Sequence, residues 1–266
     1  GKTSAAINMI NSKWEESGGL QKFLYITPYL EEVNRIIKEC PDCHFCQPYP
    51  VQGSKLNGIK KIFEEGRNVV STHSLFETFD EDVAELIKMQ GYTLIMDEVA
   101  DVVQQMDISK SDLENIMSNY CEVREEDNQV QWVNEYGGGR LSDYKRQIDL
   151  GAVYYFSSTA LIYTFPVECF RSFEKGQIYI LTYMFDAQIQ KYYYDMYGLK
   201  YKYLDVKRSH THNTNNNGDE DEGWSTKDYY FVERGEGQPR SSLEIEKENG
   251  VTDLSSTFWI MISLII

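Results

Sequence analysis

The chain has 266 residues, 41% apolar and 26% charged, and its 42 acidic against 26 basic side chains give a formal charge of −16. That composition excludes collagen-like, disulfide-scaffold and wholly disordered chains, and the length supports one large domain, or one and a half smaller ones, with a real core. It also excludes a general basic coat for nucleic acid, because the net charge repels phosphate, and leaves room only for a local groove.

In chain order, Gly1-Lys2-Thr3 is followed by Ala5, Ala6, Ile7, Met9 and Ile10 at helical spacing. Phe23 to Thr27 is a short apolar run that reads as a buried strand, and Pro28 after it suits the first turn of a helix. Leu30, Val33, Ile36 and Ile37 give that helix one apolar stripe. Asn68 to Thr72 is the next predicted strand, Asp80 to Met89 an amphipathic helix, and Tyr92 to Met96 a third strand ending at Asp97-Glu98. Strands that are apolar throughout and alternate with helices predict an α/β fold whose parallel sheet is covered on both faces. Such sheets bind ligands beyond the carboxyl ends of their strands. Thr27, Ser71-Thr72-His73 and Asp97-Glu98 all fall at such ends.

Ser109 to Tyr120 reads as helix, and Glu122 to Glu135 as a β-hairpin turning at Asp127-Asn128. Gly137-Gly138-Gly139 is a flexible joint, with the hairpin insert spanning about 121–150. Val153 to Phe156 and Ile178 to Tyr183 read as strands, Asp186 to Tyr197 as a Tyr-rich helix, and Leu199 to Val206 as a last strand. The main domain is therefore expected over 1–206. Residues 207–223, polar and low in complexity, are expected to be a disordered linker, and 224–266 the start of a truncated C-terminal region. Phe258 to Ile266 is too short to span a bilayer. A frame-shifted end and a docked final strand are both open for it.

Five cysteines, an odd number without regular spacing, argue for a reducing, cytoplasmic setting. Cys40, Cys43, His44 and Cys46 lie within seven residues, but zinc sites draw on two separated pairs, so this reads as a loop with half-buried cysteines. His210 and His212 have no third ligand nearby. Tyr192, Tyr193, Tyr194 and Tyr197 either pack on the sheet or stack on bases, packing being the commoner use.

Two motifs carry chemistry. Gly1-Lys2-Thr3 before a helix has the form of the end of a phosphate-binding loop, where the helix start offers free N–H groups, Lys2 reaches the β- and γ-phosphates and the Thr3 hydroxyl meets Mg²⁺. Leu94-Ile95-Met96-Asp97-Glu98 is an apolar strand ending in two carboxylates, the first suited to a divalent cation and the second to activating water. Either motif alone occurs by chance; the two in this order point to an NTPase.

The chain resembles the first RecA-like domain of a superfamily 2 helicase, of the DEAD/DEAH type found in phages and mobile elements. Gly1-Lys2-Thr3 matches the end of Walker A, Phe23 to Pro28 resembles motif Ia, Val70 to Phe76 resembles the segment near motif Ib, and Ile95 to Ala100 resembles Walker B in a DEVA variant. The likeness covers residues 1–105 well and 150–205 loosely. It implies a three-layer P-loop fold with a mainly parallel sheet, ATP and Mg²⁺ as cofactors, phosphate binding at Gly1, Lys2, Thr3 and Ser4, Mg²⁺ at Thr3 and Asp97, and water activation by Glu98. It implies nucleic acid, DNA favoured over RNA, at Thr27, Pro28, Thr72 and His73, where backbone N–H groups and small hydroxyls bind phosphates without a basic surface. For His73 a hydrogen-bonded structural role is equally open. The coupling motif III falls at Thr182, after a strand, or at Ser157-Ser158-Thr159-Ala160 beside the hairpin; Thr182 is favoured. The strand before Gly1 and the arginine-bearing second lobe of the family are not found in this sequence, so the parent is expected to be an ATP-driven motor and this chain alone a weak ATPase. Replication or packaging proteins are the expected partners, with no membrane. A terminase-like packaging ATPase and a non-catalytic binding module are the alternatives.

Overall fold

A computed structural model describes residues 1–135, 139–209 and 228–234 and the backbone of the strand at 259–263. Its strands are β1 (Lys22–Thr27), β2 (Val69–Thr72), β3 (Tyr92–Asp97), β4 (Val103–Gln105), β5 (Cys121–Val123) and β6 (Val130–Trp132). There follow β7 (Val153–Ser157), β8 (Ala160–Thr164), β9 (Ile178–Leu181), β10 (Lys202–Arg208), β11 (Tyr229–Glu233) and β12 (Trp259–Ser263). The helices are α1 (Lys2–Glu16), α2 (Leu30–Glu39), α3 (Lys55–Glu64), α4 (His73–Phe76) and α5 (Glu81–Gln90), then α6 (Lys110–Asn119), α7 (Ser142–Asp149), α8 (Val167–Arg171) and α9 (Ile189–Met196).

The chain divides into two compact units. Gly1–Ala100 and Glu168–Ile266 form the first, and Asp101–Val167 the second.

The first unit is a mixed α/β layer structure on a seven-stranded sheet of order β11-β10-β12-β9-β3-β1-β2. β2, β1, β3 and β9 are parallel, as the apolar runs predict, with Tyr25 level with both Val70 and Ile95, and Ile95 with Tyr179. The expected mainly parallel sheet needs one correction: β12 runs antiparallel to β9 and β10, and β11 antiparallel to β10. Alternation along each parallel strand feeds two cores. Phe23, Tyr25, Ile95, Tyr179 and Leu181 pack with Ala6, Ile7 and Ile10 of α1 and Val33 and Ile36 of α2. On the opposite face Tyr92 meets Phe63 of α3 at 4.9 Å, and the aromatic chain continues through Phe79, Phe76 and Phe170 to Tyr193 and Tyr194 of α9. Both faces being covered explains the apolar runs within these strands, whose polar residues lie mostly near their ends.

Local signals set the helix ends. Asp80 caps α5 by accepting from Val83 N at 3.0 Å, and Gly91 closes it in the left-handed conformation. Pro28 does not enter α2 as expected; the helix begins at Leu30 with Tyr29 as N-cap, and acidic Glu31 and Glu32 favour its first turn. The helix α3 was not expected, although Leu56, Ile59, Ile62 and Phe63 form a stripe. β10 extends to Arg208, two residues into the segment read as linker from 207, and 210–227 lies outside the described residues. Within 224–266, β11 and β12 join the main sheet.

The second unit holds an antiparallel sheet of order β4-β8-β7, the hairpin β5-β6 with Cys121 opposite Trp132, and helices α6 and α7. Its own core gathers Leu113, Ile116, Val130, Ile148, Val153 and Leu161, and Tyr120 stacks on Trp132 with ring centres 5.2 Å apart. The hairpin was legible from sequence. The unit is wider than the insert expected over 121–150, and it claims the Val153 strand, which pairs with β8 rather than the parallel sheet.

Candidate functional site

The four parallel strands deliver their carboxyl ends to one edge of the first unit, where the sequence motifs meet. β3 ends on Asp97, level with Leu181 of β9, and Glu98 N–H donates to the Leu181 carbonyl at 3.1 Å. Glu98 has φ of 65°, a left-handed conformation that costs a residue with a Cβ about 1–2 kcal/mol. The conformation turns its carboxylate outward from the strand: Asp97 is buried while Glu98 is exposed.

Lys2, in the first turn of α1, reaches this pair. Its Nζ lies 3.1 Å from Glu98 Oε1 and donates to the Leu181 carbonyl at 3.3 Å. The other Glu98 oxygen, Oε2, accepts from Thr182 Oγ1 at 3.0 Å. Lys2, Thr182 and Glu98 therefore converge although 84 and 96 residues separate Glu98 from its two partners. Ser4 is buried and accepts from Arg35 Nη2 at 3.2 Å, and Arg35 is itself held by Glu39 and Glu32 of α2. As at any helix start, the first N–H groups of α1 lack intrahelical acceptors, and Gly1 caps it without a side chain.

Burial pushes the Asp97 carboxyl up to about 6; Lys2 and Arg35 oppose that shift, while Glu98 and Glu32 add to it. Beneath it Tyr25 is fully buried, and its hydroxyl has no hydrogen-bond partner among the described residues. Burial, then Asp97 and Glu32, hold that hydroxyl well above the usual tyrosine range.

Thr27, Pro28, Thr72 and His73, at the ends of β1 and β2, differ in accessibility. Thr27 is wholly buried, its hydroxyl accepting from Tyr29 N–H at 3.4 Å, whereas Pro28 is exposed and Thr72 half-buried. His73 Nε2 lies 2.8 Å from the Asp97 carbonyl, and since a carbonyl only accepts, Nε2 carries the proton. Ser157-Ser158-Thr159-Ala160, the other candidate for motif III, forms the turn between β7 and β8 in the second unit. Two contributors were not expected: the Leu181 carbonyl, invisible as a side chain, and Gln190, whose Oε1 accepts from Ala100 N–H at 3.0 Å and whose amide donates to Tyr194. A Gln within a Tyr-rich helix is the sequence trace of the latter.

The chain is 35% identical over 214 residues to the SPbeta prophage-derived uncharacterized protein YonV of Bacillus subtilis (strain 168), in a match that covers 76% of this chain and 50% of that protein. The chain thus spans about half the length of this curated relative. No family model matches it, and no solved structure matches it. The phage character expected from sequence agrees with a relative of prophage origin.

Cys40 caps α2 and Cys43 ends a single 3-10 turn; both are buried, while Cys46 is half-buried. Among the described residues no group of three or more His, Cys, Asp or Glu side chains is placed to hold a metal ion, and no helix is long and apolar enough to cross a membrane. His210 and His212 lie outside the described residues.

Proposed function

We propose that this chain is the nucleotide-binding part of an ATP-dependent helicase or translocase, with a RecA-like P-loop arrangement in its first unit. The observation that carries the reading is the 3.1 Å approach of Lys2 Nζ to Glu98 Oε1 across the ends of neighbouring elements, with Thr182 on the second oxygen. An ammonium, a helix start, a hydroxyl and two unlike carboxylates at one sheet edge form a donor set suited to a triphosphate and Mg²⁺.

The chemistry of these residues suits both groups. Mg²⁺ keeps several waters and is held by one or two carboxylates with phosphate oxygens, so it needs no protein cage. Asp97 and Thr3 would hold it, and when bound it neutralises charge on the phosphate oxygens. Gly1, Lys2, Thr3 and Ser4 would bind the phosphates, with Lys2 exchanging its partner Glu98 for phosphate oxygen. That exchange leaves the Glu98 carboxylate free to accept a proton from water while Thr182 keeps it oriented. Nucleic acid, DNA favoured, would lie along Pro28, Thr72 and the backbone of those strand ends.

The test is ATP hydrolysis with and without single-stranded DNA, together with binding of a fluorescent ATP analogue. Glu98→Gln is expected to lower turnover at least about 100-fold while sparing nucleotide binding. Hydrolysis that survives Glu98→Gln refutes the assignment.

A further inference from the structure

We infer that His73 is a positioning residue for the peptide that joins Asp97 to Glu98, linking the end of β2 to the carboxylate pair; this rests on the nucleotide-hydrolysis reading above and deepens it. Both polar atoms of that peptide are held. Its carbonyl accepts from His73 Nε2 at 2.8 Å, and its N–H donates to the Leu181 carbonyl at 3.1 Å. The peptide leads directly into the left-handed conformation of Glu98. A residue in such a conformation keeps it only while its surroundings over-determine it. Here the clamp comes from two strands on opposite sides of β3: β9 directly, and β2 through an imidazole that spans the end of β1.

The geometry assigns His73 a task different from phosphate contact. Its Nε2 proton is committed to a main-chain carbonyl, and the residue is only partly exposed. His73 follows Thr72 without a break and opens α4, whose Leu75 and Phe76 are buried. A displacement of the rim of that segment, at half-buried Thr72 or exposed Ser74, is therefore passed through the His73 side chain to the backbone between Asp97 and Glu98. The coupling this predicts runs from whatever occupies the β2 end to the orientation of the Glu98 carboxylate, and through it to turnover, without His73 touching either ligand.

Two variants separate this from a purely structural role. Gln can place an amide N–H where Nε2 stands; Leu cannot donate. In the full chain, hydrogen exchange at the Glu98 amide is expected to quicken about two- to tenfold in His73→Leu, the worth of one hydrogen bond, and to stay near the parent value in His73→Gln. In ATP hydrolysis, His73→Leu is expected to lower kcat by a comparable or larger factor with KM for ATP and the Kd for single-stranded DNA unchanged, and His73→Gln to restore it. Loss of DNA affinity with unchanged kcat would make His73 a contact residue and overturn the inference. So would equal exchange in His73→Leu and parent, a result that needs no catalysis. Glu98→Gln keeps the two claims apart. If it abolishes hydrolysis while His73→Leu leaves both kcat and exchange untouched, only the positioning role fails. If Glu98→Gln leaves hydrolysis intact, the hydrolytic reading fails, and the exchange measurement still decides the clamp.

Discussion

Asp97→Asn is expected to stabilise the fold at high pH while removing a group the proposed chemistry needs. Burial raises the Asp97 carboxyl from 3.8 to about 6, against the pull of Lys2 and Arg35. The sign follows from proton counting. Between those two values the folded chain holds a proton that the unfolded chain has released, so folding loses stability as pH rises through the interval and the full penalty stands above about 6. At about 1.4 kcal/mol per pH unit, the charged form costs the fold about 3 kcal/mol at pH 8 and only about 0.5 kcal/mol at pH 4. Asparagine carries no charge to desolvate and occupies nearly the same volume. Urea unfolding of both proteins at several pH values is the assay, read as the difference between them so that other titrating groups cancel. The stability gain of Asp97→Asn should grow from about 0.5 kcal/mol at pH 4 to about 3 kcal/mol at pH 8. A difference that is flat across this range, or that falls with pH, refutes the claim that Asp97 is held charged against its surroundings.

Two further substitutions test the frame that carries the site. Asn68 is buried and uses its side chain twice, accepting from Phe23 N–H at 2.8 Å and donating to the Cys43 carbonyl at 2.7 Å, so Asn68→Ala strands two main-chain groups and should cost about 2–6 kcal/mol in urea unfolding. Gly176 precedes β9, and a Cβ there would stand 2.0 Å from the Tyr92 carbonyl oxygen, so Gly176→Ala should lower stability by about 1–3 kcal/mol, visible as a drop in Tm.

The parallel half of the sheet was readable because its strands are buried on both faces and leave unbroken apolar runs such as Phe23 to Ile26 and Leu94 to Met96. The approach of Lys2 to the Asp97-Glu98 end was expected from motif order, whereas the hydrogen bond of Thr182 to Glu98 was not read from the sequence, which offered Thr182 only as a coupling residue. What escaped has physical reasons. β7 has the same apolar look as a core strand, yet its partner is β8 across the short turn at Ser158-Thr159, and pairing is not written in composition. α7 buries only Ile148, so it shows no stripe to count. The clamp on the Asp97–Glu98 peptide uses main-chain atoms of Asp97 and Leu181, to which residue identity is blind, and the His73 bond depends on two strand ends lying one strand apart. The direction of β12 depends on connections that lie outside the described residues.

The second unit interrupts the first between Ala100 and Glu168, and this bears on how the chain assembles. β3 has to find β9, with Leu94 opposite Ile178, across the whole intervening segment. Left as coil, that segment would be a long entropic tether, and its closure would delay the sheet. Its own apolar cluster, from Leu113 and Ile116 to Val153 and Leu161, is built among the described residues from the second unit. Once that cluster condenses, much of the intervening segment is no longer free coil, so less chain entropy opposes the pairing of β3 with β9.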